Sequence, residues 1–344
     1  MKKTLVTLMC TLLAFLLCSC SYIPLEVPTP DYNGELIVHF IDVGQGDSIL
    51  LESQNEFMLI DAGEAEYGST VCRYLENNDV KTLSYVVATH PHSDHCGGLT
   101  EVINSFECEN FITVETDQQT KTWLNVLYAV KNNNVNYIDA KVGTTYTLGN
   151  SSFQIMGPHS NYYEDYNNYS VVIKATCGKN TFLFTGDAEI LSENEMLDYT
   201  LDLSSDVLKV GHHGSSTSSS YKFLSAVSPQ YAVISCAEHN DYGHPHNEVV
   251  SRLNNMGIST YRTDKHGTVV ATSDGNNIEF YCDNSHIPPI DPKTLSYLGN
   301  KNSKKFHLST CSGAMDINKY NLVRFSSREE ALSKGYSPCK ACNP

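Results

Sequence analysis

Three histidines and an aspartate fall within six residues at His90-Pro91-His92-Ser93-Asp94-His95. Neutral imidazoles and a hard carboxylate oxygen together suit zinc or another divalent first-row ion in a site left open to water. The apolar run Leu83-Ser84-Tyr85-Val86-Val87-Ala88 precedes them and predicts a buried strand. The set therefore stands at a strand end, where α/β sheets place chemistry. Histidines that merely decorate a surface loop do not concentrate four ligand-type residues in six positions.

Other residues could join them. Asp187 follows the strand-like Phe182-Leu183-Phe184, as a metal ligand or as the N-cap of the helix predicted beyond it. His212-His213 follows the strand-like run Asp206 to Val210, and one imidazole can bind metal while the other serves substrate or proton transfer. Gly44 and Gly46 flank Gln45 in a turn whose backbone can approach a ligand closely. A second set lies near the C-terminus, His307-x3-Cys311 and Cys339-x2-Cys342. Three thiolates and an imidazole at that spacing would close a tetrahedral structural zinc, the alternative being a Cys339–Cys342 disulfide. With roughly 48 residues, the tail is too short for a large core and would need such a staple.

The elements that must position these groups alternate. Strands are predicted over residues 36–41, 49–51, 57–60 and 153–156, and helices over 69–77, 121–132 and 189–198, an α/β pattern. The chain divides into a signal segment (1–20), a Pro-containing tether (21–34), a catalytic body (35–283), a linker (284–296) and the tail (297–344). Met1-Lys2-Lys3 and the apolar run Leu12 to Leu17 have the layout of a secretory signal, too short for a membrane span of ~20 residues.

At 344 residues and net charge −16, the whole surface is unsuited to nonspecific nucleic-acid binding, although bound cations reverse the sign locally. The charge is uneven. The tail carries eight Lys/Arg against three acids, net +5, which leaves 15 against 36 in the preceding chain, net −21. Cys72, Cys96, Cys108, Cys177, Cys236 and Cys282 allow up to three disulfides outside the cytoplasm. Cys96, beside the histidines, is a ligand or a small packed residue.

The histidine cluster resembles the HxHxDH signature of metallo-β-lactamase-fold hydrolases, which implies an αββα sandwich with a one- or two-metal site between its sheets. The Phe40 to Ser48 stretch, containing Asp42-Val43-Gly44-Gln45-Gly46-Asp47-Ser48, is similar to the entry motif of the ComEC-type competence branch. The likeness continues through Leu59 to Gly63, Asn168 to Val172, Phe184 to Asp187, Lys209 to Ser215 and Tyr242 to His246. No counterpart of that branch's transmembrane channel is evident, so DNA uptake is not carried over.

The resemblance implies His90, His92, Asp94, His95, Asp187 and His212 as ligands of one or two Zn2+ or Mn2+, with Asp187 bridging. Asp94, His213, His244 and His246 would take part in catalysis, and Asp42, Gln45, Asp47, Asn168, Ser170 and Ser215 would contact substrate. Many members of the fold have a further histidine ligand between the first motif and the bridging aspartate. Here that interval holds His159 and the Asn168-Tyr169-Ser170 segment. Leu17-Cys18-Ser19-Cys20 resembles a lipobox, implying a lipid on Cys20 and a place on the outer face of the cell membrane. The tail looks like the zinc module of Ada-type repair proteins, but His307 stands where the methyl-accepting cysteine would be, so methyl transfer is not expected.

The implied reaction is metal-assisted hydrolysis at phosphorus, by water whose pKa the cation lowers to about 7. A lipid-anchored phosphodiesterase, with extracellular DNA as favoured substrate, follows from this reading. The alternatives are phosphorylcholine esterase-like hydrolysis of wall polymer and a non-catalytic lipoprotein that binds DNA or wall polymer. No obligate protein partner is evident.

Overall fold

The computed structural model describes Tyr32, residues 34–285, Pro289, residues 297–308 and 311–340, and Cys342. The expected signal segment with Cys20, all of the tether but Tyr32 and Gly34, and most of the 284–296 linker lie outside the described residues. Among the described residues no helix is long and apolar enough to cross a membrane.

The strands run β1 (Leu36–Phe40), β2 (Ile49–Ser53), β3 (Glu56–Ile60), β4 (Thr82–Val87), β5 (Glu107–Thr113), β6 (Asn136–Asp139), β7 (Thr145–Leu148), β8 (Ser151–Gly157), β9 (Val172–Cys177), β10 (Asn180–Phe184), β11 (Val207–Lys209), β12 (Tyr231–Ile234), β13 (Ser259–Arg262), β14 (Val269–Ser273) and β15 (Ile278–Cys282). Eight form one sheet in the order β15-β14-β1-β2-β3-β4-β5-β6, and seven form the other in the order β13-β12-β11-β10-β9-β8-β7.

Residue alternation explains why the sheets face each other. Leu36, Val38 and Phe40 of β1 and Met58 and Ile60 of β3 enter a core shared with Phe182 and Phe184 of β10 and Ile173 of β9. The intervening Phe57 and Leu59 face outward, where they are covered by α1 (Gly68–Asn77), α2 (Leu99–Ser105) and α3 (Lys121–Asn132). Leu183 and Leu208 face α4 (Ile190–Asp198), α5 (Tyr221–Val227) and α6 (Asn247–Asn255) on the other side. A period of two on each strand thus builds four layers, αββα, the metallo-β-lactamase architecture. Helix α3 shows the local logic: the Thr120 side chain accepts a bond from Trp123 N, and Trp123, Val126, Ala129 and Val130 form its buried stripe.

All nine cysteines described are free thiols. The disulfides that six of them allowed are not formed, and these six are spread over three apolar layers. Cys72, Cys96 and Cys108 belong to one helix-side core, Cys177 and Cys282 to the inter-sheet core, and Cys236 to the other helix-side core. Cys96 is packed, its Sγ against the Pro91 carbonyl.

The tail forms a small sheet, β18 (Leu322–Phe325), β16 (Tyr297–Asn300), β17 (Lys305–Leu308) and β19 (Ser337–Pro338), with α7 (Arg328–Ser333) against it. Its apolar core among the described residues is Phe306, Phe325, Ala331 and Tyr336, ringed by Tyr297 and Val323. Beside it, the ligand atoms of His307, Cys311, Cys339 and Cys342 lie within 4.8 Å of one another, so this group can hold a metal and no Cys339–Cys342 bond is present. So small a core would gain most of its stability from a metal bound by this group. Cys311→Ser is expected to make residues 297–342 protease-sensitive while the body stays resistant, as limited proteolysis followed by mass spectrometry would report.

Candidate metal centre and catalytic cavity

Each site residue sits just beyond a strand's carboxyl end or in a loop pressed against one. His90 to His95 follow β4, Asp61 follows β3, Asp187 follows β10, His212 and His213 follow β11, and Ser235 follows β12. β3 and β4 are parallel, as are β10, β11 and β12, so these ends converge on one crevice. The Gly44 to Asp47 loop enters from the β1–β2 connection. Asp47 N donates to the Asp94 carbonyl at 3.1 Å, and at Gly46 (φ 143°) a Cβ would overlap that same carbonyl. Glycine is needed there for both the backbone angle and the close approach.

Two imidazoles define the centre. His95 Nδ1 lies 2.8 Å from Asp61 Oδ2, and His213 Nδ1 lies 3.0 Å from the Ser235 carbonyl. Both partners only accept, so both Nδ1 atoms carry hydrogen and both Nε2 atoms point inward. They face each other at 3.3 Å. Around them stand Asp187 Oδ1 at 3.2 Å from His95 Nε2, with Asp187 Oδ2 at 3.5 Å and Asp94 Oδ2 at 3.2 Å from His213 Nε2. His90 Nε2 and His92 Nδ1 approach to 3.0 Å beside them, and the His90 ring centroid lies 4.2 Å from that of His95.

The electrostatics follow from burial. Asp47, Asp61 and Asp187 are at most 2% exposed, and Asp94 is partly covered. Burial penalises the charge of Asp47, yet Lys209, fully buried with Nζ at 2.8 Å, and then His213 hold it down at about 2. Burial likewise opposes charge on His213, but Asp187 with Asp47 and Asp94 raises it to about 10, and Asp187, Asp94 and Asp61 raise His95 well above its usual value. His90 goes the opposite way, lowered by burial and then by the nearby His95.

The cluster fits a divalent cation. Two facing Nε2 atoms among carboxylates are tolerable only with positive charge between them. Asp47 Oδ1 and Asp187 Oδ1 are buried without a hydrogen-bond partner, and ligand atoms of Asp47, His95, Asp187 and His213 all lie within 4.8 Å of one another. His90, His92 and Asp94 border the same point.

Not every expected role matches its residue's position. His213, not His212, reaches the centre. His212 is 21% exposed, its Nε2 3.7 Å from Asp187 and its Nδ1 3.3 Å from Glu189. Both have left-handed backbone (φ 48° and 52°), which turns the second ring inward and the first towards the rim. Asp47, expected at substrate, lies beneath the cluster on Lys209. Asn168 and Ser170 are buried supports: Asn168 Oδ1 accepts from Glu189 N and Ser192 N, and Ser170 Oγ accepts from Asp187 N at 3.0 Å. Ser215 is buried on Thr217, and Asp42 is exposed, closing its own turn through Gly44 N. His159 lies tilted against Tyr199, ring centroids 4.1 Å apart, in a different cavity.

The cavity above the centre is about 560 Å³, lined by Gln45, His92, Asp94, Asn167, Asp187, His212, His213, Tyr242, His244 and His246. Burial, with His213 and His212 close by, lowers His244 to about 4, so it is neutral at pH 7. Asp61, Lys209, Glu189 and Asn167 were not singled out from sequence. A lysine inside the apolar strand run at Lys209 was the available signal for a buried ion pair.

Over residues 41–239 the chain matches the family profile described as Metallo-beta-lactamase superfamily, and it belongs to that superfamily. Its homologues include competence proteins of the ComEC type. The chain is 28% identical over 286 residues to ComE operon protein 3 of Bacillus subtilis (strain 168), covering 78% of this chain and 36% of that protein. It is 31% identical over 238 residues to Recombination protein 2 of Haemophilus influenzae, covering 67% and 28%. To Competence protein ComA of Neisseria gonorrhoeae it is 32% identical over 251 residues, covering 72% and 33%. The chain spans about a third of the length of these relatives. Among solved structures, the metallo-beta-lactamase fold protein YhfI from Bacillus subtilis aligns with 72% of this chain and 99% of its own at 12% identity and a TM-score of 0.45.

Two outcomes are expected. Lys209→Met strands a buried Asp47 charge and should cost ~3–5 kcal/mol in urea unfolding of the cation-free protein. A divalent cation at a hundredfold over its Kd should add ~2.7 kcal/mol to stability. Asp187→Ala should remove most of that gain in calorimetry.

Proposed function

We propose that this chain is a metal-dependent phosphodiesterase, binding one or two Zn2+ or Mn2+, with extracellular nucleic acid as its favoured substrate. The observation that carries the reading is the pair of facing Nε2 atoms of His95 and His213, set among buried carboxylates at the floor of a solvent-reached cavity. A divalent cation bound there supplies Lewis acidity towards a phosphoryl oxygen and makes water a usable nucleophile near neutral pH.

The chain's own groups do the rest. Asp61 and Ser235 hold the two rings in one tautomer. Asp94, at the cavity wall, orients water through its carboxylate. His244, neutral at pH 7, accepts a hydrogen bond from water or substrate, and His246, its Nδ1 accepting from Ser216 N, lines the leaving-group side. Tyr242 is 66% exposed and lies over His244 at 5.6 Å, offering a face on which a base can stack.

Relationship to competence proteins supports nucleic acid, and so does the +5 tail, which would hold a polyanion that the acidic body cuts. In this reading His307, Cys311, Cys339 and Cys342 hold a structural zinc in an Ada-like module, and a lipid on Cys20 keeps the protein on the outer face of the membrane.

One observation favours a phosphorylcholine ester instead. A second cavity of about 750 Å³, lined by Tyr169 of the Tyr166–Tyr169 turn, combines Tyr162, Tyr169 and Tyr199 with Glu115, Asp117 and Asp139, three acids against Lys141 and His159, a lining suited to an organic cation.

The test offers the full metal-loaded chain single- and double-stranded DNA, bis-p-nitrophenyl phosphate and p-nitrophenyl phosphorylcholine. DNA cleavage is expected, falling to background in Asp94→Ala and Asp187→Ala. Turnover of the choline ester alone would transfer the protein to wall remodelling. Bound cation with no hydrolysis of any substrate would leave a binding protein.

A further inference from the structure

The turn Tyr166–Tyr169 precedes β9 and forms one wall of the catalytic cavity, and three of its neighbouring side chains are spent on holding it. Asp165 caps it, its carboxylate accepting from Asn167 N at 3.0 Å. Asn168 ties it to the start of α4 through Glu189 and Ser192, and Ser170 ties it to the Asp187 backbone. Tyr169 is 4% exposed in the inter-sheet core. The turn is therefore fixed on both sides.

Asn167 is the exception. It is 6% exposed, lines the cavity with His92, Asp94 and Asp187, and its Oδ1 is buried without a partner. Its Nδ2 makes no hydrogen bond either among the described residues. The two ends of an amide exchange by rotation about Cβ–Cγ, so the group can present a donor to the cavity at little cost. A buried amide oxygen left unpaired destabilises the fold that carries it, and persists where something other than folding uses the group.

Resting on the reading of this cavity as a phosphodiester site, we propose that Asn167 is a catalytic residue. Its Nδ2–H donates to a non-bridging phosphoryl oxygen and strengthens as charge develops there during hydrolysis. The rigid turn makes that donor pre-organised, so little reorganisation is spent at the moment of reaction. The centre's metal-binding atoms carry no N–H towards the cavity once coordinated, so a neutral amide supplies what they lack without competing for the cation.

The experiment compares wild type, Asn167→Ala and Asn167→Asp as full metal-loaded chains. With bis-p-nitrophenyl phosphate, Asn167→Ala should lower kcat about 10²-fold with KM within about twofold, the range seen on removing one such donor. Metal content should be unchanged, and the thermal midpoint unchanged or higher, because an unsatisfied polar group has been removed. Asn167→Asp, similar in size but without a donor, should not restore kcat. Calorimetric titration with inorganic phosphate should show affinity weakened about tenfold in both variants.

An unchanged kcat in Asn167→Ala overturns the assignment, as does a loss of activity that follows a lowered midpoint, which marks a structural role. If the wild type hydrolyses no phosphodiester, the functional reading fails by itself. Phosphate binding then decides the inference: equal affinity in wild type and Asn167→Ala overturns it, and weakened affinity sustains Asn167 as a phosphoryl contact.

Discussion

Buried negative charge is the constraint on which the rest of this molecule depends. Asp47, Asp61 and Asp187 are almost wholly excluded from solvent, Asp94 stands beside them, and among the described residues a single lysine, Lys209, is ion-paired with this group. Removing a carboxylate from water costs several kcal/mol that a single lysine cannot offset for four groups. In the ion-free protein, protons on His95 and His213 supply the difference, which is why both are raised. A divalent cation does so better, since one ion replaces two protons and satisfies lone pairs that imidazolium leaves idle. The same charges that make the cluster costly in isolation make it selective for a cation.

Holding that cluster strains the chain locally. Asp61, His212 and His213 all adopt left-handed backbone, at φ 57°, 48° and 52°, where side chains other than glycine's are disfavoured by ~1–3 kcal/mol each. Three such residues within one site point to geometry being kept at the expense of stability. The reserve that sustains it is the core shared by the two sheets, with Phe40, Phe153, Phe182 and Phe184 fully packed. The strand ends cannot drift apart without opening that core, so the ligand atoms stay within 4.8 Å.

Much of the fold was legible because periodicity is a local property. Alternation on β1, β3 and β10 marked the inward faces, and the helix expected over 121–132 forms over Lys121–Asn132. The location of the centre was legible too, since His90 to His95 carry their own signature. What could not be read was which neighbour in a dipeptide faces inward. At His212-His213 and at Asn167-Asn168, backbone turns decide the matter, and a turn of one residue exchanges a ligand for a rim residue or an anchor for a substrate contact. The partner of Lys209 was hidden for another reason: Asp47 is 162 residues away, and only the assembled sheets bring the two together.

The tail and the cavity share a helix. Ser251 Oγ of α6 donates to the Cys342 carbonyl, and the Tyr297 hydroxyl reaches Asn255 at 3.4 Å, so the tail module rests on the middle and end of α6. The N-cap of that helix is His246, which lines the catalytic cavity, and Arg252 from its middle binds the carbonyls of Ser218 and Ser219 in the loop after His213. Nine helical residues rise about 13 Å. On the proposed reading, a polymer gripped by the tail would be held at a set spacing from the centre by this helix. A rigid spacing of this kind gives a high effective concentration at one register and a low one elsewhere. On the proposed reading the basic tail and the acidic body, opposed in charge, would divide the work: the first would attract a polyanion, and the second would admit it only where a cation reverses the local sign.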